Sequence, residues 1–265
     1  MIRYLNLRIV RLQSVVSILL LVIISMLHTL FMNNMFESLD IIEYSPYSKW
    51  ILVESYSGLG ILYLLIMPLV ISIGVSDIYI QDKKQNLQLN IYLYYSRLHS
   101  NLIYLLHSSI VSFLIATIPL FIGFISLFMV FPDIIPDKSF SQLIGVTSFN
   151  TLFSSLFYGH PFVFIFIYSM LVGVWASVMN VMAISLSIYF NKRIYAIIGP
   201  FLFQILLIII GDISGNSFIV APVYFLLAAT PFVLLKTSII ILTFVLYILL
   251  SMYFFIKGTK NYELD

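Results

Sequence analysis

The residue types that most often perform enzyme chemistry do not form a catalytic pattern in this sequence. The 265 residues include 0 Cys, which excludes thiol catalysis, disulfide bonds and thiolate metal sites. None of the histidines begins the H-E-x-x-H pattern of zinc peptidases. Neither the G-x-S-x-G pattern of hydrolases nor the G-x-x-x-x-G-K-[ST] phosphate-binding loop occurs. We therefore predict that the chain is not an enzyme and has no metal or cofactor of its own.

A polar segment at 76–101 is where a partner protein could be recognised. It begins with acidic, amide and basic side chains, among them Asp82, Lys83 and Lys84. Apolar side chains then recur at helical spacing: Leu87, Ile91, Tyr94 and Tyr95. This spacing predicts a short helix that presents an apolar stripe to a partner protein or to the membrane boundary. The alternative interpretation is an ordinary interfacial linker between two membrane spans.

The composition is typical of an integral membrane protein. Hydrophobic residues make up 62% of the chain, charged residues make up 9%, and the mean hydropathy is +1.08. A soluble domain has about 25% charged residues, so much of this surface must face lipid. The net charge of +2 is too small to indicate nucleic-acid binding. Richness in Ile, Leu, Tyr, Asn and Ser is typical of an AT-rich genome, so we expect the cell membrane of a bacterium or archaeon.

Six stretches are long and apolar enough to cross a bilayer, which needs about 20 residues of helix. They are 14–32, 59–76, 102–131, 162–190, 194–210 and 237–256. Each is apolar on all sides, which predicts helices and not the alternating strands of a barrel. We predict an all-α membrane protein with six transmembrane helices in a single domain, residues 1–265.

None of the six stretches contains Asp, Glu, Lys or Arg. Secondary transporters, proton pumps and voltage sensors usually need such charges inside the membrane. If this chain moves a solute uphill, we therefore expect the energy to come from a separate cytoplasmic motor.

The positions of the basic residues predict the orientation. With six spans, every Lys and Arg except Lys49, Lys138 and Lys236 lies on one side, which the positive-inside rule assigns to the cytoplasm. Both termini are then cytoplasmic. The apolar stretch 218–235, which contains Pro222 and Pro231, is too interrupted for a seventh span. We predict that it is a re-entrant outer segment before the last span.

The segments outside the spans are short. Residues 1–13 interleave basic and apolar side chains, which favours an amphipathic helix on the inner membrane surface, although a disordered basic stub is the alternative. The outer loops 33–58 and 132–161 contain aromatics and prolines that are expected to order them on the membrane surface. Trp50 is expected to belong to the aromatic belt.

This layout resembles the six-span permease subunit of type-2 ABC (ATP-binding cassette) transporters, which are commonly exporters. The resemblance rests on the amphipathic N-terminus, the charged loop after the second span, the short inner loop at 191–193 and the re-entrant segment. Members of the family often have a charged stretch followed by Gly-Thr-Leu or Asn-Gly in the first inner loop, and then Pro-x-[Ser/Thr]-Arg. The corresponding residues here are 82–87 and 95–97, without the family's glycine and proline.

The resemblance implies a function and partners. Two permeases, identical or paralogous, would pair in the lipid bilayer and dock onto two ABC ATPase subunits, which would bind ATP and Mg. The segment 77–101 would be the coupling helix. Lys83, Lys84 and Arg97 would supply electrostatic docking, whereas Leu87 and Ile91 would supply buried contact. The implied ATPase-coupling residues are Asp82, Lys83, Lys84, Leu87, Ile91, Ser96, Arg97, Lys192 and Arg193.

Polar and small residues inside the spans predict helix packing. Asn180 and Gln204 lie deep in the fourth and fifth spans, where we expect each to form hydrogen bonds inside the bundle. A contribution of these two residues to a substrate path is the alternative. Small residues recur every fourth position in the third and fourth spans, and we interpret them as helix-packing residues: Ser108, Ser112, Ala116, Ser169, Gly173 and Ser177.

Two other classes of function compete with the permease. The first is a membrane scaffold, such as an immunity or assembly protein, that binds another membrane protein through its outer loops and needs no nucleotide. The second is an intramembrane enzyme, for which the sequence offers no Ser-His, Asp-Asp or His-rich constellation.

Overall fold

The computed structural model describes residues 11–38, 45–54, 57–76, 78–215, 220–229 and 235–261, and these residues form helices and turns without a strand. Six of the helices are long and apolar enough to span a membrane. The prediction of an all-helical chain with six such helices is confirmed. Most of the interfacial helix expected at 1–13 lies outside the described residues, which begin at Arg11.

The chain forms six long helices and five short ones within the described ranges. A π turn, Ser72–Ser76, extends the second long helix, and a 3₁₀ turn lies at Lys138–Phe140. In chain order the α-helices are α1 (Leu12–Ser38), α2 (Leu59–Ile71), α3 (Ile78–Lys84), α4 (Leu87–Tyr92), α5 (Arg97–Leu127), α6 (Ser141–Ile144), α7 (Ser154–Gly159), α8 (Pro161–Phe190), α9 (Arg193–Ile213), α10 (Pro222–Leu226) and α11 (Thr237–Asn261).

Local sequence signals set the bounds of α8, the central helix. Pro161 occupies its first turn, where the missing N–H of proline costs no hydrogen bond. Asn191 follows its last residue in the left-handed conformation, with φ 54°, and donates its backbone N–H to the carbonyl of Ser187 at 3.0 Å. Asparagine tolerates this conformation, so the helix ends there and α9 begins after a tight turn.

The second spanning helix is longer than the sequence predicted. The apolar element runs over Leu59–Lys84, whereas the expected span ended at residue 76. The helix α3 follows at Ile78–Lys84, and its polar side chain Asp82 is buried against other parts of the chain. The beginning of the predicted inner loop is therefore helical.

Small residues let α5 and α8 approach closely. A Cβ added at Gly173 would lie 2.5 Å from Cγ2 of Thr117, so only glycine fits at this crossing. Four residues later, the hydroxyl of Ser177 donates to the carbonyl of Ser109 at 2.8 Å. The small-residue pattern is thus a packing feature, as predicted.

Hydroxyl groups of α1 satisfy the backbone at the π turn. Ser17 Oγ donates to the carbonyl of Val70 at 2.9 Å, and Ser14 Oγ donates to the carbonyl of Gly74 at 2.8 Å. A π turn disturbs the regular hydrogen bonds of a helix, and lipid supplies no replacement donors. These two serines therefore allow the irregular turn to exist inside an apolar bundle.

The bundle has two ends, which we call the basic end and the opposite end. Residues from α3, α4, α5, α8 and α11 line one crevice at the basic end: Tyr79, Tyr92, Arg97, Asn101, Ile188, Gly258 and Thr259. Among the described residues, the basic side chains at this end are Arg11, Lys83, Lys84, Arg97, Lys192, Arg193, Lys257 and Lys260. At the opposite end, residues 45–54 and 220–229 pack together between the helices.

Candidate functional site

The inner segment, residues 78–101, is a folded structure at the basic end. It comprises α3, α4, the connection to α5 and the first turn of α5. Asn86 adopts a positive φ of 56° and donates its N–H to the carbonyl of Lys83 at 3.1 Å, which closes the turn between α3 and α4. The segment therefore presents a defined surface and is more than a linker.

A buried carboxylate anchors the inner segment to two long helices. Asp82 is 0% exposed, and Tyr104 of α5 donates its hydroxyl to Oδ2 of Asp82 at 2.6 Å. Arg11, next to α1, places its guanidinium 3.6 Å from Oδ1 of Asp82 and donates to Oε1 of Gln81 at 2.7 Å. A buried carboxylate is stable only with such donors and an opposite charge. The cluster thus fixes α3 against α1 and α5.

A second polar cluster fixes α4. Gln88, which is 2% exposed, donates its amide to the carbonyl of Tyr79 at 2.9 Å. Tyr92 donates its hydroxyl to Oδ1 of Asn101 at 3.2 Å, and the guanidinium of Arg97 lies 5.8 Å from the centre of the Tyr92 ring. These contacts link α3, α4 and the start of α5 into one packed unit.

The exposed surface of the inner segment differs from the predicted stripe. Leu87 and Ile91 are half-buried, and Ile91 packs against the core of its own chain. The helix α4 ends at Tyr92, so the apolar stripe does not continue in one helix to Tyr94. Leu93 and Tyr94 are instead 80% and 84% exposed. The apolar side chains available to a partner therefore lie just after α4.

The predicted coupling residues divide into inward and outward groups. Lys84 and Ser96 are exposed, and Lys83 and Arg97 are half-buried at the surface. Asp82 points inward and is not available to another protein. Lys192, in the short connection between α8 and α9, and Arg193, the first residue of α9, are exposed at the same end of the bundle.

Asn180 connects three helices. Its side chain is 0% exposed, and Ser76 donates its hydroxyl to Asn180 Oδ1 at 2.8 Å. The Asn180 amide in turn donates to Oγ of Ser108 at 2.8 Å. Asn180 therefore holds the π turn, α5 and α8 together, as the prediction of interior hydrogen bonds required.

Gln204 plays a comparable role on α9. Its side chain is 0% exposed and its amide donates to the carbonyl of Leu64 at 3.2 Å. In this conformation neither Asn180 nor Gln204 lines an open path among the described residues.

The opposite end is closed by a buried segment that the sequence did not indicate. Residues 45–54, which we call the capping segment, insert between the helices, and Trp50 and Leu52 are 0% exposed. Trp50 donates its indole N–H to the carbonyl of Leu120 at 3.5 Å. The expectation that Trp50 lies in an aromatic belt is wrong, because the capping segment folds into the bundle.

Hydrogen bonds tie the capping segment to other elements of the opposite end. Ala228, just after α10, donates its N–H to the carbonyl of Leu52 at 2.7 Å, and Thr151 donates its hydroxyl to the carbonyl of Ala228. Tyr47 donates its hydroxyl to Asp133 at 3.0 Å. Burial, together with the bond to Asp133, raises the pKa of Tyr47 to about 12.

Two buried acid–base pairs were missed by sequence reasoning. Arg11 faces Asp82 at the basic end, and His28 faces Glu54 at the opposite end with Nε2 and Oε2 3.5 Å apart. Each pair joins residues that are far apart in the chain, so no local pattern indicates it. The one sequence feature that could have indicated these pairs is an acidic residue next to a long apolar run.

Comparison with known proteins identifies no relative. No protein-family model, no curated protein and no solved structure matches the chain.

Proposed function

We propose that the chain is the membrane-spanning permease subunit of an ATP-driven exporter. The observation that supports this most is the inner segment, a folded and anchored element that ends the second spanning stretch and leads into the third at the basic end. Its buried anchors, Asp82 and Gln88, hold the segment in a fixed position from which it could transmit force to the long helices. The resemblance to type-2 ABC permeases supplies the class of motor.

In this proposal the basic end faces the cytoplasm. The positive-inside rule supports that orientation, since the connections at this end contain Lys83, Lys84, Lys192 and Arg193. Both ends of the chain are then cytoplasmic, in the cell membrane of a bacterium or archaeon.

The region 218–235 is proposed to be a re-entrant segment of the outer leaflet. Its described part includes α10, which contacts α2 and α8. The ring centres of Phe225 and Trp175 are 5.2 Å apart, and the two ring planes are nearly perpendicular, at 86°. Trp175 is about 20 Å along α8 from its start, at a rise of ~1.5 Å per residue. This depth supports a segment that enters the membrane and returns.

The docking surface for the ATPase is proposed to comprise both charged and apolar groups. Lys83, Lys84 and Arg97 would attract acidic groups of the partner and orient it. Leu93 and Tyr94, which are 80% and 84% exposed, would supply the buried contact in place of Leu87 and Ile91. Lys192 and Arg193 would form a smaller second contact.

The buried anchors of the inner segment would couple ATP hydrolysis in the partner to movement of the long helices. ATP-driven closure of two ATPase subunits would displace the inner segment, and α1 and α5 would move with it because Arg11, Asp82 and Tyr104 tie them together. ATP and Mg would be bound by the ATPase partner. A second permease, identical or paralogous, would complete the path. The apolar interior favours an apolar or amphipathic cargo.

Purification of the tagged chain from its native membrane in a mild detergent tests the proposal. We expect mass spectrometry to identify an ATPase with a phosphate-binding loop in about a one-to-one ratio, and the eluate to hydrolyse ATP. The double variant Lys83→Gln, Lys84→Gln should lose most of this ATPase. The matched control Lys138→Gln, an exposed lysine of the opposite end, should retain it.

Recovery of the chain without an ATPase in several detergents would contradict the exporter. It would favour the scaffold, the competing function, whose partner would be another membrane protein held through the opposite end.

A further inference from the structure

Five aromatic rings from four helices meet inside the bundle. They are Trp175 of α8, Phe203 of α9, Phe225 of α10, and Phe244 and Tyr247 of α11, and we call them the aromatic cluster. The ring centre of Trp175 lies 5.2 Å from that of Phe225, 5.6 Å from that of Phe244 and 5.1 Å from that of Tyr247. The rings of Tyr247 and Phe203 are 4.7 Å apart. Contacts of this kind are normal in a protein interior, so the rings alone do not indicate a site.

The aromatic cluster lies at the middle of the spanning helices. Trp175 is the fifteenth of the 30 residues of α8, Tyr247 is the eleventh of the 25 of α11, and Phe203 is the eleventh of the 21 of α9. Within eight positions of these three residues the sequence has no Asp, Glu, Lys, Arg or His. A charged group at this depth is costly without a partner, so the surroundings suit only an uncharged molecule.

The cluster contains two polar groups without a partner. The indole Nε1 of Trp175 and the hydroxyl of Tyr247 are buried and form no hydrogen bond among the residues that the structure describes. A buried Trp or Tyr normally has a partner for its polar end, and lipid tails offer none. A phenylalanine would fill either position without the cost of an unpaired polar group. The two groups therefore point to a ligand that supplies the missing hydrogen bonds.

These two groups differ from a buried serine hydroxyl without a partner, such as that of Ser169. A helical serine or threonine can donate to the carbonyl four residues before it, as Ser251 and Thr243 of α11 do. An indole or a phenol holds its polar atom at the far side of a rigid ring, away from the backbone of its own helix. Trp175 and Tyr247 therefore need a partner from outside their own helices.

A seam between α9 and α11 leads from the cluster toward the lipid. Both helices pack along α8, but they have few contacts with each other within the described ranges. They also have the smallest buried shares of the six spanning helices, 28% and 22% of an 18-residue stretch. The ring contact of Phe203 with Tyr247 bridges the seam, and Phe203 and Phe244 are only half-buried.

We propose that the aromatic cluster is a binding site for a neutral lipid, which enters from the bilayer through this seam. An ester or hydroxyl oxygen of the lipid accepts the hydrogen bond of the Trp175 indole, which can only donate. The Tyr247 hydroxyl, which can donate or accept, bonds to the same polar group. The hydrocarbon chain of the lipid packs against the phenyl rings. This site does not require the exporter to be correct.

Tryptophan fluorescence can report binding, because the chain has 2 Trp. Trp50→Phe leaves Trp175 as the only tryptophan, and thermal unfolding checks that this background is folded. The full-length chain is placed in phosphatidylcholine nanodiscs. The probe is a monoacylglycerol with two bromine atoms in its acyl chain, since bromine quenches an indole that it contacts. Dibromooctadecane, which has the bromines and the hydrocarbon chain but no oxygen, is the matched control probe.

We expect the brominated monoacylglycerol to quench Trp175 saturably, with about one molecule bound per chain, whereas dibromooctadecane should quench weakly and without saturation. Tyr247→Phe keeps the ring and removes the hydroxyl. It should raise the mole fraction of probe needed for half-saturation about fivefold, which is the effect of one uncharged hydrogen bond. The control Tyr253→Phe makes the same substitution six residues further along α11 and should leave this value unchanged.

Thermal unfolding without the probe distinguishes a binding role of the Tyr247 hydroxyl from a structural one. Because this hydroxyl has no partner among the described residues, Tyr247→Phe should unfold at the same temperature as its background or at a higher one. A clearly lower unfolding temperature would show that the hydroxyl already has a partner in the free chain, and it would overturn the proposal.

Three binding results would also overturn it. The first is equal quenching by the brominated monoacylglycerol and dibromooctadecane, which would show that the oxygen is not recognised. The second is unchanged half-saturation in Tyr247→Phe. The third is equally saturable quenching by a brominated phosphatidylcholine, which would show that the site accepts a lipid with a charged head group.

Discussion

Both ends of the bundle bury a carboxylate opposite a basic side chain, but the two bases differ. At the basic end Asp82 faces Arg11, whose guanidinium stays charged at all physiological pH values. At the opposite end Glu54 faces His28, which is a cation only when both of its ring nitrogens are protonated. The first pair, a permanent anchor, lies where force is proposed to enter, and the second lies where the capping segment closes the other end.

The largest effect in this comparison should come from removing the permanent anchor. Asp82→Ala leaves the guanidinium of Arg11 and the hydroxyl of Tyr104 without their buried acceptor. We expect a loss of about 3 kcal/mol in the free energy of unfolding, at the lower end of the range for a broken buried pair, since Arg11 is 17% exposed. Thermal unfolding in detergent measures it, with Lys84→Ala on the same helix as the control.

The loss for Asp82→Ala should be the same at about pH 5.5 and about pH 8, because arginine does not titrate there. A loss that appears at only one of the two pH values would remove the distinction between the two ends.

The hydrogen bond of Tyr104 should have the next largest effect. Tyr104→Phe keeps the ring packed against Tyr79 but removes the 2.6 Å bond to Asp82. Hydrogen bonds to charged groups contribute about 1.5–3 kcal/mol, so we expect a loss of about 2 kcal/mol. Tyr94→Phe, at an exposed position of the inner segment, is the control and should unfold like the natural chain. Equal unfolding of the two variants would show that Asp82 is held by other groups.

The pair at the opposite end should give a smaller effect. His28→Gln removes the imidazole that faces Glu54, and we expect a loss of about 1–2 kcal/mol in the free energy of unfolding, below the range for a fully broken pair because Lys49 still faces Glu54. Thermal unfolding of the variant and the natural chain in detergent measures this loss, and a variant that unfolds like the natural chain would contradict a stabilising contact between the two residues.

The smallest effect should come from the hydrogen bond between Tyr47 and Asp133 at the opposite end. Tyr47→Phe removes a hydrogen bond to Asp133, an exposed acid, and we expect a loss of about 0.5–1 kcal/mol. Because the pKa of Tyr47 is raised to about 12, this contribution is complete below about pH 10 and decreases as the pH approaches 12. Denaturant unfolding at neutral pH and at about pH 11 checks both statements. A loss that persists at the higher pH would contradict the assignment to the Tyr47 phenol.

Sequence reasoning predicted the bundle well because lipid imposes simple rules. Uncharged apolar runs of about 20 residues must be helices, so the six spans follow from composition alone. An amide such as Asn180 in an apolar helix must find partners, so its interior hydrogen bonds were also predictable.

The details of both ends were less predictable because they depend on contacts between distant residues. Asp82 lies beside Lys83 in the sequence and resembles part of a solvated surface, but Arg11 and Tyr104 draw it inward. Trp50 resembles an interfacial residue, but Leu120 and the helices around it bury it. A sequence pattern describes neighbours along one helix and not the elements that pack against it.

Crosslinking from single cysteines at the two ends tests the central claim most directly. Tyr94→Cys and Phe149→Cys place unique thiols at positions that are 84% and 72% exposed, at the basic end and the opposite end. Each is coupled to a benzophenone maleimide in native membranes and irradiated. The exporter predicts a covalent product with an ATPase subunit from Tyr94→Cys and none from Phe149→Cys. Labelled Tyr94→Cys chains that capture no ATPase, or equal capture from both positions, would contradict it.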